Sequence, residues 1–198
     1  MKGPHPSAVR QPPRSGRLIV AVTNRHRAQT VNRRLLKRVA ASLLADLKVN
    51  QGELGIVLAA TPEMTSLNEQ FLRHRGSTDV MAFDYGLGVP PSGGIALNNV
   101  RGTNPSRSEP RTLHGEIFIG LDEARDQAKK FKTTWQSEVV RYLVHGVLHL
   151  LGHDDRRAAG RRKMKAEEDQ RLRLLSRRFA LSKLGSKPRL GAWRQKVC

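Results

Sequence analysis

Three of the chain's seven histidines and two aspartates lie within the eleven residues from 145 to 155. The residues from 139 to 151 are apolar on nearly every face of a helix, so this helix must run through the core of the fold. His145 and His149 lie four residues apart, one turn from each other on the same side of that helix. The fold must therefore bury this helix and still provide partners for two imidazoles.

Two buried histidines at this spacing predict a metal site. A single buried histidine is most often satisfied by a backbone carbonyl, and that is the alternative interpretation here. Two histidines followed by a glycine and three polar residues would need several separate hydrogen-bond partners in one small volume, whereas one metal ion satisfies them together. Gly152 follows His149 by three residues, where a left-handed residue can end the helix and turn the chain back.

The spacing favours Asp155 as the third ligand. In the zinc peptidase pattern H-E-x-x-H-x-x-G-x-x-H, the glycine and the last ligand follow the second histidine by three and six residues. Those positions are Gly152 and Asp155 here, and His153 and Asp154 are the competing ligands. Two histidines and one carboxylate form a known catalytic zinc site that leaves a position for water. We predict one zinc ion (Zn2+), and the carboxylate widens the choice of divalent metal towards manganese or iron.

Gly146 stands where a metallopeptidase of that type carries its glutamate general base. Glycine can neither accept nor donate a proton through a side chain, so peptide hydrolysis is disfavoured. The remaining chemistry is that of a three-ligand metal, which lowers the pKa of bound water and polarises a phosphoryl or carbonyl oxygen.

The charge of the chain indicates a polyanionic partner. Lysine and arginine number 36 against 17 acidic residues, giving a net charge of +19. RNA, DNA and an anionic membrane face are all compatible with this charge. Aromatic residues make up only 5%, which argues against base-stacking platforms and favours the backbone of a nucleic acid. The single cysteine, Cys198, excludes a disulfide framework and a thiolate metal cluster. Apolar stretches are too short for a signal peptide core or a membrane span, so we expect a soluble cytoplasmic protein.

Local patterns predict one domain over residues 17–182. We expect strands at 18–22, 54–59 and 115–120 and within 78–85. The first two strands flank an amphipathic helix, which indicates a right-handed parallel crossover. Thr61 before Pro62 predicts one helix start, and Thr133 with Gln136 predicts a capping box for the buried helix. Residues 1–16 are a predicted disordered basic leader, 86–112 a long surface loop and 183–198 a basic tail.

The C-terminal segment carries most of the charge excess. Residues 156–198 contain fifteen lysines and arginines against three acidic residues. Their apolar residues recur at helical spacing, which predicts a helix that docks on the domain and directs its basic side chains outwards: Met164, Leu172, Leu175 and Phe179. A solvated helix without a dedicated partner is the alternative, but this excess favours contact with a polyanion such as a nucleic acid backbone.

The segment from His145 to Asp154 closely resembles the signature of the YbeY family, which are bacterial metal-dependent endoribonucleases of ribosomal RNA maturation. The likeness covers roughly residues 18 to 180 and includes Leu67 with Asn68, the run Thr78, Asp79, Val80 and Phe83, and Gly115, Glu116 and Ile117. The resemblance implies a small α/β domain with a mixed sheet of about four strands surrounded by helices. It also implies zinc, single-strand cleavage of RNA, maturation of the 16S rRNA 3′ end and a role in ribosome quality control on the small subunit.

The chain departs from the family at two positions. The family usually has a histidine where this chain has Asp155, and many members have an arginine where this chain has Leu72. Arg73 is the nearest substitute as a catalytic phosphate-binding residue and Arg75 the next, although either can also be an ordinary surface arginine. We therefore predict an endoribonuclease, and the alternative is a ribosome-assembly factor that binds rRNA and holds a mainly structural metal.

Overall fold

A computed structural model describes residues 17–73, 75–86 and 111–185, so the predicted leader, most of the predicted loop and residues 186–198 lie outside the described part. The elements follow one another as β1 (Leu18–Asn24), α1 (Arg33–Asp46), β2 (Val49–Ala59), α2 (Thr61–Leu67), a π-helical turn (Asn68–Leu72), β3 (Val80–Asp84), β4 (Arg111–Gly120), α3 (Leu121–Phe131), α4 (Trp135–Leu150), α5 (Ala158–Arg178) and a 3-10 helix (Leu181–Gly185). None of the described helices is long and apolar enough to cross a membrane.

The four strands form one mixed sheet in the order β1-β2-β4-β3. β1 and β2 are parallel and are joined through α1, as the crossover prediction requires. β2 is also parallel to β4, whereas β3 runs antiparallel to β4 with Val80 opposite Ile119. The predicted α/β domain with a mixed sheet of about four strands and surrounding helices is confirmed.

Two strands begin earlier than their apolar runs predict. β2 begins at Val49 and β4 at Arg111, because their first halves pair with each other through the backbone, with polar side chains around the buried Val49 and Leu113. Gln51 lies opposite Thr112 in this pairing. The apolar runs indicated only the half of each strand in which apolar residues are continuous.

Two predicted helix starts are each displaced by one residue. Thr134 caps α4, since its side chain accepts a hydrogen bond from the Ser137 backbone N–H, whereas the Thr133 hydroxyl donates to Glu138 instead. Ala60 is the N-cap of α2, and Thr61 is its first residue. A hydroxyl beside a helix start can therefore either accept from a backbone N–H or donate to a side chain, and its tertiary partner decides which role it takes.

The buried helix α4 packs against β4, and its apolar residues are fully enclosed: Val139, Val140, Leu143, Val144, Val147 and Leu148. Gly146 lies on the side facing the sheet, where a Cβ atom would approach Ile117 Cγ2 to 2.9 Å. Such contacts are closer than packed carbon atoms normally allow, so the glycine permits the short separation between helix and sheet. α5 completes the enclosure by burying Met164 and Leu175.

Gly146→Ala is expected to lower the free energy of unfolding by about 1 kcal/mol. Overpacking against Ile117 costs about 1–3 kcal/mol. This cost exceeds the roughly 1 kcal/mol by which alanine stabilises a helix relative to glycine. Urea unfolding measures this loss. In an Ile117→Ala background the same substitution should no longer destabilise, since the close atoms are gone. An equal cost in both backgrounds would show that Ile117 is not the cause.

Candidate metal centre

The structure brings together the three residues predicted to bind metal. His145 and His149 lie on the last two turns of α4, and their Nε2 atoms are 2.9 Å apart. After α4 the chain turns at Gly152, whose φ is +83°, and Asp155 returns with Oδ2 3.9 Å from His149 Nε2. One donor atom from each residue lies within 4.8 Å of the others, and among the described residues this is the group of three possible ligands that converges.

The Nδ1 atom of each imidazole already makes a hydrogen bond within the protein. His145 Nδ1 lies 2.5 Å from Glu168 Oε1, and His149 Nδ1 lies 3.1 Å from the backbone carbonyl oxygen of His153. A carbonyl can only accept, and an ionised carboxylate likewise only accepts, so both Nδ1 atoms carry hydrogen and donate. In the neutral rings the two Nε2 lone pairs then face each other, an arrangement that needs a cation between them.

The spacing of these nitrogens suits one zinc ion. Zinc binds imidazole nitrogen at about 2.0–2.1 Å, so two nitrogens on the same tetrahedral ion lie roughly 3.3 Å apart, a few tenths of an ångström more than the separation here. Fixing Nδ1 through a carboxylate or a backbone carbonyl is also the usual way in which proteins orient a histidine ligand. The donor set therefore fits the predicted metal.

The electrostatics of the two histidines differ. Burial alone lowers the pKa of His145, but the hydrogen bond and negative charge of Glu168 outweigh burial and raise the pKa above its usual value. Burial and the neighbouring positive charge of His145 lower the pKa of His149. Without an ion, one proton on His145 can bridge the two rings, and a metal that binds there must displace it.

The two competing ligands have other roles in this structure. His153 contributes its backbone carbonyl to His149, and burial lowers the pKa of its ring. Asp154 is largely exposed, and its Oδ1 accepts a hydrogen bond from the Arg156 backbone N–H at 3.0 Å. The geometry thus favours Asp155 over both as the third ligand.

Glu168 is the site residue that the sequence reasoning missed. It is only 7% exposed although it belongs to the basic helix α5, and its carboxylate is directed at His145. Glu168 follows Met164 by four residues and precedes Leu175 by seven, which places the acid on the apolar face of α5. An acidic residue at that position was the signal that could have identified it.

A second contact joins α5 to the loop that carries Asp155. Arg161 Nη1 donates to the backbone carbonyl oxygens of Asp155, at 3.2 Å, and of Arg156, at 2.7 Å. With Glu168 bound to His145, α5 therefore contacts residues on both sides of the metal centre. The helix is part of the site as well as part of the surface.

Arg73, the predicted catalytic arginine, lies outside this group of contacts. It follows the π-helical turn in a left-handed conformation with φ 55° and is exposed. Within the described part of the chain its guanidinium makes no hydrogen bond or ion pair. Asn68 closes the same loop, since its buried side-chain amide donates to the Gly76 carbonyl at 2.8 Å.

Asp155→Ala should lower zinc content after purification by at least tenfold, because it removes one of three ligands from an open site. Metal analysis by atomic emission measures the content. Asp154→Ala is the matched control, since it removes the same group from the adjacent position, and it should retain the wild-type content. Full metal content in Asp155→Ala would move the third ligand to another residue.

Glu168→Gln should weaken apparent zinc affinity about tenfold, since partners that orient a histidine ligand are typically worth about 10–100-fold in affinity. Competition with a chromophoric chelator measures this affinity without any assay of activity. Glu167→Gln makes the same chemical change one residue earlier, where the carboxylate pairs with Arg171, and should have a smaller effect. Equal losses in the two variants would indicate a general effect of charge.

Residues 20–176 match the family model described as Endoribonuclease YbeY. The chain is 35% identical to Endoribonuclease YbeY of Salinibacter ruber over 119 residues, covering 60% of this chain and 68% of that protein. It is 32% identical to Endoribonuclease YbeY of Anaeromyxobacter dehalogenans over 151 residues, covering 76% and 68%. The solution structure of TM1509 from Thermotoga maritima has the same fold, with a TM-score of 0.53 and 18% identity over 87% of this chain and 98% of that chain. The family match spans most of the chain and includes the residues of the candidate metal centre, so this chain belongs to the Endoribonuclease YbeY family.

Proposed function

We propose that the chain is a metal-dependent endoribonuclease that hydrolyses phosphodiester bonds in single-stranded RNA. The observation that carries this proposal is the convergence of His145, His149 and Asp155 in a chain of the Endoribonuclease YbeY family. Bound to these residues, zinc supplies a water of lowered pKa and a Lewis acid for a phosphate oxygen. The chain supplies the positions of the ligands and the surrounding basic surface.

The accessibility of the site supports a catalytic role over a structural one. The side chains of His145, His149 and Asp155 are 27%, 33% and 40% exposed. Structural zinc sites are closed and have four protein ligands, whereas catalytic sites keep a position open for water or substrate. Three ligands that solvent can reach leave such a position, and a polymer can approach it from the surface.

Arg73 is the proposed phosphate-binding residue, with Arg75 as the alternative. A π-helical turn takes up one more residue per turn than an α-helix, so Asn68–Leu72 displaces the following residue by about one position around the helix axis. The Cα of Arg73 then comes near the place that the Cα of residue 72 would have in an unbroken α-helix, and Arg73 is exposed there in a left-handed conformation. This supports Arg73 as the substitute for the arginine that many family members carry at that position.

The family relationship also supports a more specific role. We assign the protein to maturation of the 16S rRNA 3′ end and to ribosome quality control, with the small ribosomal subunit as partner, in the cytoplasm. The basic surface of α5 agrees with an RNA substrate of this kind.

A ribosome-assembly factor that binds rRNA and holds a mainly structural metal is the second candidate. Two observations favour it: Asp155 replaces the family's usual histidine, and Leu72 replaces its arginine. A metallopeptidase is a weaker third candidate, because Gly146 leaves no general base next to His145.

The purified protein should cleave a single-stranded RNA of the 16S 3′ end, lose this activity in chelator and regain it with zinc. His149→Ala should reduce the rate at least 100-fold because it removes a ligand, whereas His114→Ala, outside the site, should retain it. Denaturing gel electrophoresis of end-labelled RNA measures the rate. Undiminished cleavage by His149→Ala would refute the metal site, and absence of cleavage by fully metallated wild type would favour the assembly factor.

The same assay tests the arginine assignment. Arg73→Ala should lower the rate about 10–100-fold if its guanidinium binds the reacting phosphate, whereas Arg75→Ala should change it little. The opposite ranking would transfer the role to Arg75.

A further inference from the structure

The helix α5 separates its basic residues into two groups. Several are paired within the fold: Arg171 with Glu167, Lys165 with Asp169 and Arg178 with Asp46. Arg162, Arg173 and Arg177 are exposed on the side opposite Met164 and Leu175, and in the described part of the chain their guanidinium groups make no hydrogen bond or ion pair. These three arginines are therefore available to an external anion.

The C-terminal end of α5 adjoins a second basic helix face. Arg178 donates to Ser42 and Asp46 of α1, at 3.1 and 2.7 Å, and Arg38 of α1 lies 5.7 Å from the centre of the Phe179 ring. Arg34 is exposed one turn before Arg38. We call the surface formed by Arg162, Arg173 and Arg177 of α5 the basic ridge.

The basic ridge begins at the end of α5 that contacts the Asp155 loop, on the face of the helix turned away from Glu168 and His145. Arg162 directly follows Arg161, whose guanidinium binds the backbone of that loop. A helix rises about 1.5 Å per residue, so Arg177 lies roughly 22 Å further along the axis of α5. The ridge therefore follows the outer face of α5 from the end nearest the proposed cleavage site to a remote part of the surface.

We propose that the basic ridge binds the phosphate backbone of a double-helical RNA segment that flanks the strand at the metal centre. This inference rests on the proposed function, because it assumes an RNA substrate that extends beyond the cleaved strand. Arginines on one helix have Cα atoms at set spacings, and each guanidinium can bind phosphate through two donors at once. Duplex RNA is recognised mainly by its shape, its phosphates and its 2′-hydroxyls, for which such a row of arginines is suited.

The composition of the ridge argues against other anionic partners. Proteins that bind single strands along a groove use aromatic side chains for base stacking, and the exposed large hydrophobic residues of the described chain lie elsewhere, at Ile19, Tyr85 and Phe131. An amphipathic helix that binds membranes needs an exposed apolar face. The apolar face of α5 is buried in the domain.

The test compares two variants that lose the same charge. One replaces Arg162, Arg173 and Arg177 with glutamine, and the control replaces Arg125, Lys129 and Lys130 of α3 with glutamine. Fluorescence anisotropy measures binding of a labelled RNA hairpin with a single-stranded 3′ overhang, and of the overhang alone, in chelator so that no RNA is cut. Zinc content and the thermal midpoint of each variant are checked against wild type.

The ridge variant should bind the hairpin RNA at least tenfold more weakly, while its affinity for the overhang alone changes less than twofold. The slope of log affinity against log salt should fall by about two to three, one contact per arginine. An equal loss in the α3 variant, or an equal loss on the overhang alone, would overturn the proposal. So would binding of anionic phosphatidylglycerol vesicles as tight as that of the hairpin.

The result of this binding test does not depend on the result of the RNA cleavage test. Binding is measured without metal, so failure of the wild type to cleave RNA with zinc would refute the nuclease and leave the binding result intact. The converse result is that the wild type cleaves RNA while the ridge variant binds and cleaves the hairpin RNA equally well. That result would refute only the proposed role of the basic ridge.

Discussion

The hydrogen bond between Glu168 and His145 joins the candidate metal ligands to the outer layer of the protein. α4 carries both histidines and is buried by the sheet on one side, and α5 covers its other side with Met164 and Leu175. A buried carboxylate is costly unless it is paired, and His145 provides that pairing. The position of α5, the tautomer of His145 and the direction of its Nε2 therefore depend on one another.

Much of this arrangement could be predicted from local spacing. The four-residue separation of the histidines, the apolar character of α4 and the turn at Gly152 are properties of neighbouring residues, and together they identified Asp155 as a residue that returns to the site. Glu168 could not be predicted in this way. Its role depends on how α5 packs across α4, and that packing joins residues 23 positions apart in the sequence.

The other differences between sequence and structure have similar causes. The first halves of β2 and β4 are mostly polar and are held by backbone pairing, so the single apolar residues Val49 and Leu113 did not reveal them. The cap of α4 is Thr134 because the hydroxyl of Thr133 binds Glu138. The π-helical turn after Asn68 changes the direction of the following residues without any local sequence signal.

Gly146 limits which side chain this fold can carry next to His145. The atoms of Ile117 occupy the space that a side chain at 146 would need, so a glutamate beside His145 would require the sheet and the helix to move apart. A single substitution therefore cannot supply the base of a zinc peptidase. Peptidases with a similar histidine pattern need a glutamate at this position. Here the close packing between α4 and β4 leaves no room for it, so packing distinguishes this protein from those peptidases more than its candidate metal ligands do.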